Sequence, residues 1–313
     1  VGGKIPEILR ISVDFPAPLA PTTPKTEPYE TSKLKSCTAL TIRVCFFPEL
    51  NCRSRFFNVG VAEQSLIATA TGLAEAGYVP YCYSIATFAS LRGVEFIRNG
   101  PVAHRLPVRI IGIGPGMDYG FDGLSHFAVD DVGSLRCQPG LTIWTPSDEK
   151  DISSQISFVN EIKAPVYMRI LKNGVDCSAI RLTDKSPVGA SVTVLSLGDA
   201  HPIGNNIFGR IQNIIPDVSH QIVTILGETT NEDLLRHLST AKICVVAENH
   251  YVVGGLASFV SEIVANNGLN IKVVPVGVNA LPIGRLGDAK FLAGRFMTDI
   301  DQVIRKVELQ LKV

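Results

Sequence analysis

The chain has 313 residues, 46% of them hydrophobic, enough apolar material for a large core and, at this length, for two domains. Its 29 basic and 29 acidic residues cancel, which removes the attraction to nucleic acid or to an anionic membrane surface that a basic chain would have. Seven cysteines, an odd number without a CxxC pair, argue against a disulfide framework or a structural zinc site and fit a reducing cytoplasm. No apolar run reaches bilayer-spanning length and the start lacks a basic-then-apolar pattern, so neither a membrane span nor a signal segment is expected.

Residues 1–50 stand apart as an atypical proline-rich segment, with Pro16, Pro18, Pro21, Pro24 and Pro28 separated largely by threonine and alanine. Proline at that density interrupts helices and inner strands, so residues 16–36 read as loop, and Thr41 to Phe47 as a candidate strand. From Phe56 the order improves. Strands at Phe56–Val59, Val79–Ile85, Val108–Ile113, Leu141–Thr145 and Val166–Leu171 alternate with helices at Ala62–Ala76, Gly93–Arg105 and Phe127–Arg136. Pro101 predicts a kink in the second helix, and Ser147 is the expected cap of a fourth, whose first turn holds Asp148 and Glu149 against the helix dipole. Residues 173–187, polar and aperiodic, read as a linker. Beyond it come strands at Val192–Leu197, Gln221–Ile225, Ile243–Ala247 and Ile271–Val276, and helices at Glu232–Ser239, Gly255–Asn266 and Asp299–Leu311. The alternation predicts an α/β protein of two doubly wound, mainly parallel sheets, one domain at 51–172 and a smaller one at 188–313.

Glu63 is the sharpest candidate for chemistry. It lies between an apolar strand and an Ala/Gly-rich helix, a poorly hydrated setting in which a carboxylate can share a proton with a ring nitrogen. It serves equally well as a first-turn glutamate that stabilises its own helix by about 0.3–1 kcal/mol. The glycine-rich stretch Gly120-Phe-Asp122-Gly123-Leu-Ser-His126 presents an acid and an imidazole; an Asp-Gly turn with a histidine capping the next helix is the plainer alternative. Phe88 and Phe96 are either core residues or an aromatic platform. Gly112-Ile-Gly114-Pro-Gly116 has the wrong spacing for a dinucleotide loop. Glu248 to Gly255, a strand end running into a helix, could hold an anion at the helix start, although a structural role is favoured.

Six stretches in order, Asn58-Val-Gly-Val-Ala-Glu63-Gln64, Thr87-Phe88, Glu95-Phe96-Ile-Arg98-Asn99, Asp122-Gly-Leu-Ser-His126, Ser134-Leu-Arg136 with Pro139-Gly140, and Glu248-Asn249-His250-Tyr-Val-Val-Gly254-Gly255, together resemble the C-terminal half of transketolase. More closely, the chain from Arg55 onward resembles the stand-alone C-terminal subunit of split transketolases. The resemblance implies a pyrimidine-binding domain followed by a transketolase C-terminal domain, and a thiamine diphosphate enzyme that moves a two-carbon ketol unit from a ketose to an aldose. It matches Glu63 to the catalytic glutamate that hydrogen-bonds the aminopyrimidine ring. Phe88 and Phe96 fall on or near the aromatic residues enclosing that ring, although the family's next aromatic is here Leu91. Asp122 matches an acid that contacts the donor hydroxyl, and His126 a catalytic histidine that contacts the sugar and its developing alkoxide. Arg169, at a strand end, matches a phosphate-binding arginine, with an ordinary ion pair as the alternative, while another phosphate-side position, histidine in the family, is Gly114.

The family's diphosphate-binding half, a Gly-Asp-Gly followed by Asn, has no counterpart in the sequence. The resemblance therefore implies that this chain holds only the ring half of the cofactor. The diphosphate and its magnesium are expected on an N-terminal transketolase subunit, in a heterotetramer whose C-terminal subunits also self-associate as a dimer. The family's opening helix and strand with an Ala-Asp-Leu loop are likewise not found in residues 1–50. Two alternatives stand: a subunit of another thiamine diphosphate enzyme, like deoxyxylulose-phosphate synthase or the β subunit of a 2-oxo acid dehydrogenase, and a non-catalytic assembly subunit.

Overall fold

A computed structural model describes residues 39–43, 56–172, 189–227 and 230–311. Strands β1 (Ala39–Arg43), β2 (Phe56–Asn58), β3 (Val79–Ile85), β4 (Arg109–Ile113), β5 (Thr142–Trp144) and β6 (Val166–Ile170) form one parallel sheet in the order β2-β1-β3-β4-β6-β5. A second parallel sheet contains β7 (Val192–Leu197), β8 (Val218–Val223), β10 (Ile243–Tyr251) and β11 (Lys272–Val278), in the order β11-β10-β7-β8. Between β8 and β10 the short strand β9 (Ile225–Leu226) leaves its own sheet and pairs antiparallel with β5, closing the free edge of the first sheet. The molecule is thus two α/β units joined through a shared strand edge, with helices on the sheet faces as parallel connections require.

The first sheet takes up the expected strand within the proline-rich segment, but it begins two residues earlier: Ala39–Arg43 is an inner strand, in register with β2 on one side and β3 on the other. The proline-rich loop at 16–36, the end of the expected strand at 44–47 and the linker at 173–187 lie outside the described residues.

Helix α1 (Glu63–Glu75) buries Glu63, Leu66, Ile67, Ala70 and Ala74, a stripe at i, i+3, i+4, i+7 and i+11 that lies on one helical face. Leu66 and Ile67 are fully buried and each stabilises the packed helix by about 1.5–3 kcal/mol. The stripe that anchors α1 therefore turns the acid at its head inward as well. After β3 the chain is helical from Phe88 to Val102 rather than from Gly93, with the short helix α2 (Val94–Ile97) between two wide π turns, Phe88–Arg92 and Arg98–Val102. Pro101 sits in the second of these, where widening accommodates a residue that has no N–H and crowds the preceding turn.

Other elements differ locally. Phe127 is extended and Ala128 bridges back to Gly116 before the chain bends at Val129 and Asp130, so α3 is shorter than expected, Asp131–Arg136. The cap of α4 (Glu149–Glu161) is Asp148, which accepts from the Asp151 amide at 2.8 Å, whereas Ser147 bonds the Asp151 carboxylate. In the second unit, α6 (Thr230–Leu238), α7 (Leu256–Asn266) and α9 (Ile300–Leu311) lie where the sequence places helices. Two more, α5 (His201–Gln212) and α8 (Ala289–Phe296), were not expected. No helix among the described residues is long and apolar enough to cross a membrane.

Candidate active site

In an open parallel sheet, ligands bind beyond the carboxyl ends of the strands. Here the segments after β2, β3 and β4 bring Glu63, Phe88 and the glycine loop to that edge. The turn out of β2 is closed by Asn58, whose side chain accepts from the Gly60 amide at 2.9 Å, and α1 starts directly after it. The Glu63 side chain is 2% exposed. Ser84 Oγ, at the end of β3, donates to Glu63 Oε1 at 3.1 Å. Arg92 Nη1 donates to Oε2 at 3.3 Å.

The Arg92 guanidinium also lies over the Phe88 ring, 3.8 Å from its centre, a cation–π contact. Phe88 in turn meets His126 edge-on, with ring centres 5.0 Å apart. The structure thus brings Glu63, Phe88 and His126 into one cluster, with Arg92 as the link. Tyr119, buried beneath the glycine loop, lies 6.1 Å from the His126 ring, and Ser125 Oγ pairs with His126 Nδ1 at 3.0 Å. Asp122 is exposed on the same loop, its amide bonded to the Tyr119 carbonyl. The loop is held against the second unit at Gly120, whose carbonyl accepts from the Gly287 amide and where any side chain would overlap the Gly287 carbonyl.

Phe96 is not drawn into this cluster: it is 38% exposed on α2, and its neighbour Ile97 faces the core instead. Arg169 forms ion pairs inside the protein. Its side chain is fully buried, with Nε donating to Asp131 Oδ2 at 2.9 Å and Nη1 to Asp199 Oδ1 at 2.5 Å. Nη2 donates to the carbonyls of Ala128 and Asn249. Burial disfavours the charge, but Asp131 and Asp199 outweigh it and hold the guanidinium above its ordinary value. With these partners Arg169 ties the two units together, the ion-pair alternative for this residue.

The helix start at Gly255 is likewise occupied. The fully buried Glu248 accepts from the Leu256 and Ala257 amides at 2.8 and 3.1 Å, so the protein's own carboxylate takes the place an external anion would need. Burial pushes Glu248 up to about 7 in spite of those bonds. Burial likewise raises Asp118, at the base of the glycine loop, to about 6, although the Lys172 amide donates to it.

Ser84 and Arg92 were not singled out in the sequence, although each left a signal. Ser84 falls on the buried phase of an alternating strand, where an apolar residue is the default. Arg92 follows Phe88 by four positions, a spacing that puts side chains on one side of a helical segment.

The donor set fits the aminopyrimidine half of thiamine diphosphate. Glu63 has accepting capacity beyond its two donors, Phe88 offers an aromatic face, and His126 stands at the edge. Together they can accept a hydrogen bond from a ring nitrogen, stack a flat heterocycle and offer an imidazole to a substrate oxygen.

The transketolase pyrimidine-binding domain family matches residues 22–176. A protein of Methanocaldococcus jannaschii described as a transketolase C-terminal section is 30% identical over 278 residues, 85% of this chain and 84% of the relative. One of the subunits of the apulose-4-phosphate transketolase of Actinobacillus succinogenes is 26% identical over 80% of this chain and 83% of its own length. Among solved structures, a split-gene transketolase, an inactive β4 tetramer, superposes with a TM-score of 0.75 at 26% identity, covering 90% of this chain and 94% of that one. Since the relatedness at 30% identity runs through most of both chains, from the segment before Glu63 to the second sheet, the chain belongs to the transketolase family and corresponds to its C-terminal half.

Proposed function

We propose that this chain is the ring-binding subunit of a split transketolase, and that it transfers a two-carbon ketol unit between sugars once a diphosphate-binding subunit completes its site. The observation that carries this reading is a carboxylate 2% exposed at the strand ends, linked through Arg92 to Phe88 and so to the cluster that ends at His126. When bound, thiamine diphosphate supplies the carbon nucleophile and electron sink of the transfer. Glu63 accepts the hydrogen bond of a pyrimidine nitrogen and holds a proton there, with Ser84 fixing its first oxygen. Phe88 packs against the ring. His126 donates to the oxygen that gains charge at the sugar carbonyl, as a positioned donor does for a developing alkoxide. Asp122, exposed beside it, accepts from a hydroxyl of the donor sugar.

The site is open where a partner is needed. On the glycine loop, between the exposed Phe121 and Leu124, Gly123 lies against the exposed Leu286 of the second unit, an apolar rim suited to the missing subunit. Buried free thiols at Cys82 and Cys244 suit a reducing cytoplasm. The glycine loop with Asp122 and His126 favours sugar chemistry over that of a 2-oxo acid dehydrogenase subunit. Co-expression with a diphosphate-binding subunit, followed by ketol-transfer assays on free and phosphorylated sugars, tests the proposal. The complex should turn over and this chain alone should not, and Glu63→Gln and Glu63→Ala should each lose about a hundredfold or more. Full activity in Glu63→Gln, whose amide cannot exchange the proton, would overturn the assigned role.

A further inference from the structure

We infer that Arg92 is an internal stand-in for the cofactor ring: with the site open, its guanidinium takes up the two contacts that the aminopyrimidine needs and must leave before the ring can seat. This rests on the reading of Glu63 and Phe88 as the pyrimidine site.

A guanidinium is flat, delocalised and rich in donors, and it stacks on aromatic faces. Those are also the properties by which an aminopyrimidine would be recognised here. A ring held by Glu63 and Phe88 must bring an N–H to the carboxylate while lying in van der Waals contact with the phenyl face. Arg92 does both at once, with Nη1 at 3.3 Å from Glu63 Oε2 and the guanidinium carbon at 3.8 Å from the Phe88 centroid. Two flat groups cannot cover the same face of one phenyl ring. The edge of His126, with ring centres 5.0 Å apart, takes up further space around Phe88.

Arg92 is also able to leave. Its side chain is 46% exposed whereas that of Glu63 is 2% exposed, so only one partner of the pair is fixed by packing. Phe88 and Arg92 lie on a π turn rather than on regular helix, backbone that is often found at functional sites and is readily rewound. While Arg92 is in place, the buried carboxylate keeps a charged partner in the unloaded chain, which avoids the penalty of an unpaired buried charge.

The test uses the full chain and thiamine, which carries the pyrimidine without the diphosphate, in an NMR titration at millimolar concentrations. Arg92→Ala removes the competitor and leaves Glu63 without its cation, so thiamine should bind about five- to tenfold more tightly than to the unaltered chain. Arg92→Lys, which keeps the charge but not the flat group, should fall between the two. In the unaltered chain the Arg92 Nε–H resonance, shifted by the Phe88 ring current, should move toward its solvent-exposed position as thiamine is added. Equal or weaker binding by Arg92→Ala, or an Arg92 signal unmoved at saturation, overturns the stand-in role while leaving the ring site intact. Absence of binding to both folded proteins overturns the ring site itself, and this inference with it.

Discussion

Whether a carboxylate can be buried depends on what its neighbours offer, and Glu63 shows both halves of the problem. The apolar stripe of α1 forces it inward, and Ser84 and Arg92 then supply donors to its two oxygens. Ser84 is itself 5% exposed, so Ser84→Ala removes a donor that water cannot readily replace. Urea unfolding should show a loss of about 1–3 kcal/mol, the range for hydrogen bonds to charged groups and for buried groups left unsatisfied. A loss below about 0.5 kcal/mol would mean that Glu63 is supported chiefly by Arg92. At this scale the candidate site is legible where its residues stand out by type: Glu63, Phe88 and His126, which the structure brings into one cluster, sit in stretches whose residue types already suggest a role. The sequence carries only a weak signal at Ser84 and Arg92, because a serine in a strand and an arginine in a helical turn are ordinary until a particular partner stands opposite. The same limit explains Arg169. A strand-end arginine fits a phosphate or a carboxylate equally well, and its partners here, the buried Asp131 and Asp199, lie far from it in the sequence.

At the scale of elements, helix α5 shows tertiary contact overriding local propensity. His201-Pro-Ile-Gly204-Asn-Asn is poor helix-forming sequence, yet the helix forms, burying His201, Gly204, Ile207 and Ile211 against the second sheet. Gly204 is required there, since any side chain would overlap Ser196 Oγ and approach the His220 imidazole. That close approach also dries out His220, whose Nε2 pairs with Ser196 Oγ at 2.7 Å. Burial, and to a smaller degree neighbouring His201, pushes the imidazole down from its ordinary value of about 6.5 to about 4. A histidine depressed in the folded state takes up its proton first in the unfolded chain. The stability it permits is therefore complete above about pH 6.5 and is lost as pH falls toward about 4. Asp118 and Glu248, raised by burial to about 6 and about 7, act in the opposite direction, since the folded state gains their protons as pH falls. The whole-protein profile is flattened as a result, and a difference measurement is needed to isolate His220. His220→Gln keeps a hydrogen-bonding partner for Ser196 and removes the titration. The stability advantage of the unaltered protein over this variant should shrink by on the order of 1–2 kcal/mol between pH 7 and pH 5 in denaturant unfolding. An advantage independent of pH would show that His220 is as well hydrated when folded as when unfolded.

Across the whole molecule, the two units are joined by features that no window of sequence displays. Strand β9 crosses to the first sheet, His250 Nε2 of the second unit accepts from the Gly133 amide of the first at 3.1 Å, and Arg136 reaches across to Glu262 and the Gly254 carbonyl. The alternation of strands and helices made two parallel sheets legible, because each sheet is built from local repeats of one pattern. Their junction was not legible, because it is made of polar residues spaced far apart in the chain, each of which reads locally as a surface group. Arg169 is the hub of that junction: Asp131 comes from the first unit, and Asp199 and the Asn249 carbonyl from the second. Asp131 also accepts from the Tyr167 hydroxyl, and Asp199 from Thr145 and from the Asn249 side-chain amide. Arg169→Leu would leave two buried carboxylates without their cation, and breaking a buried pair from one side costs about 3–5 kcal/mol. Denaturant unfolding should register a loss of that order. Hydrogen exchange should accelerate together in α3 and in the segment from β7 into α5, since both lose the same anchor. If Arg169 instead served a sugar phosphate, the variant would unfold like the unaltered protein, and only the assembled enzyme's preference for phosphorylated over free sugars would change.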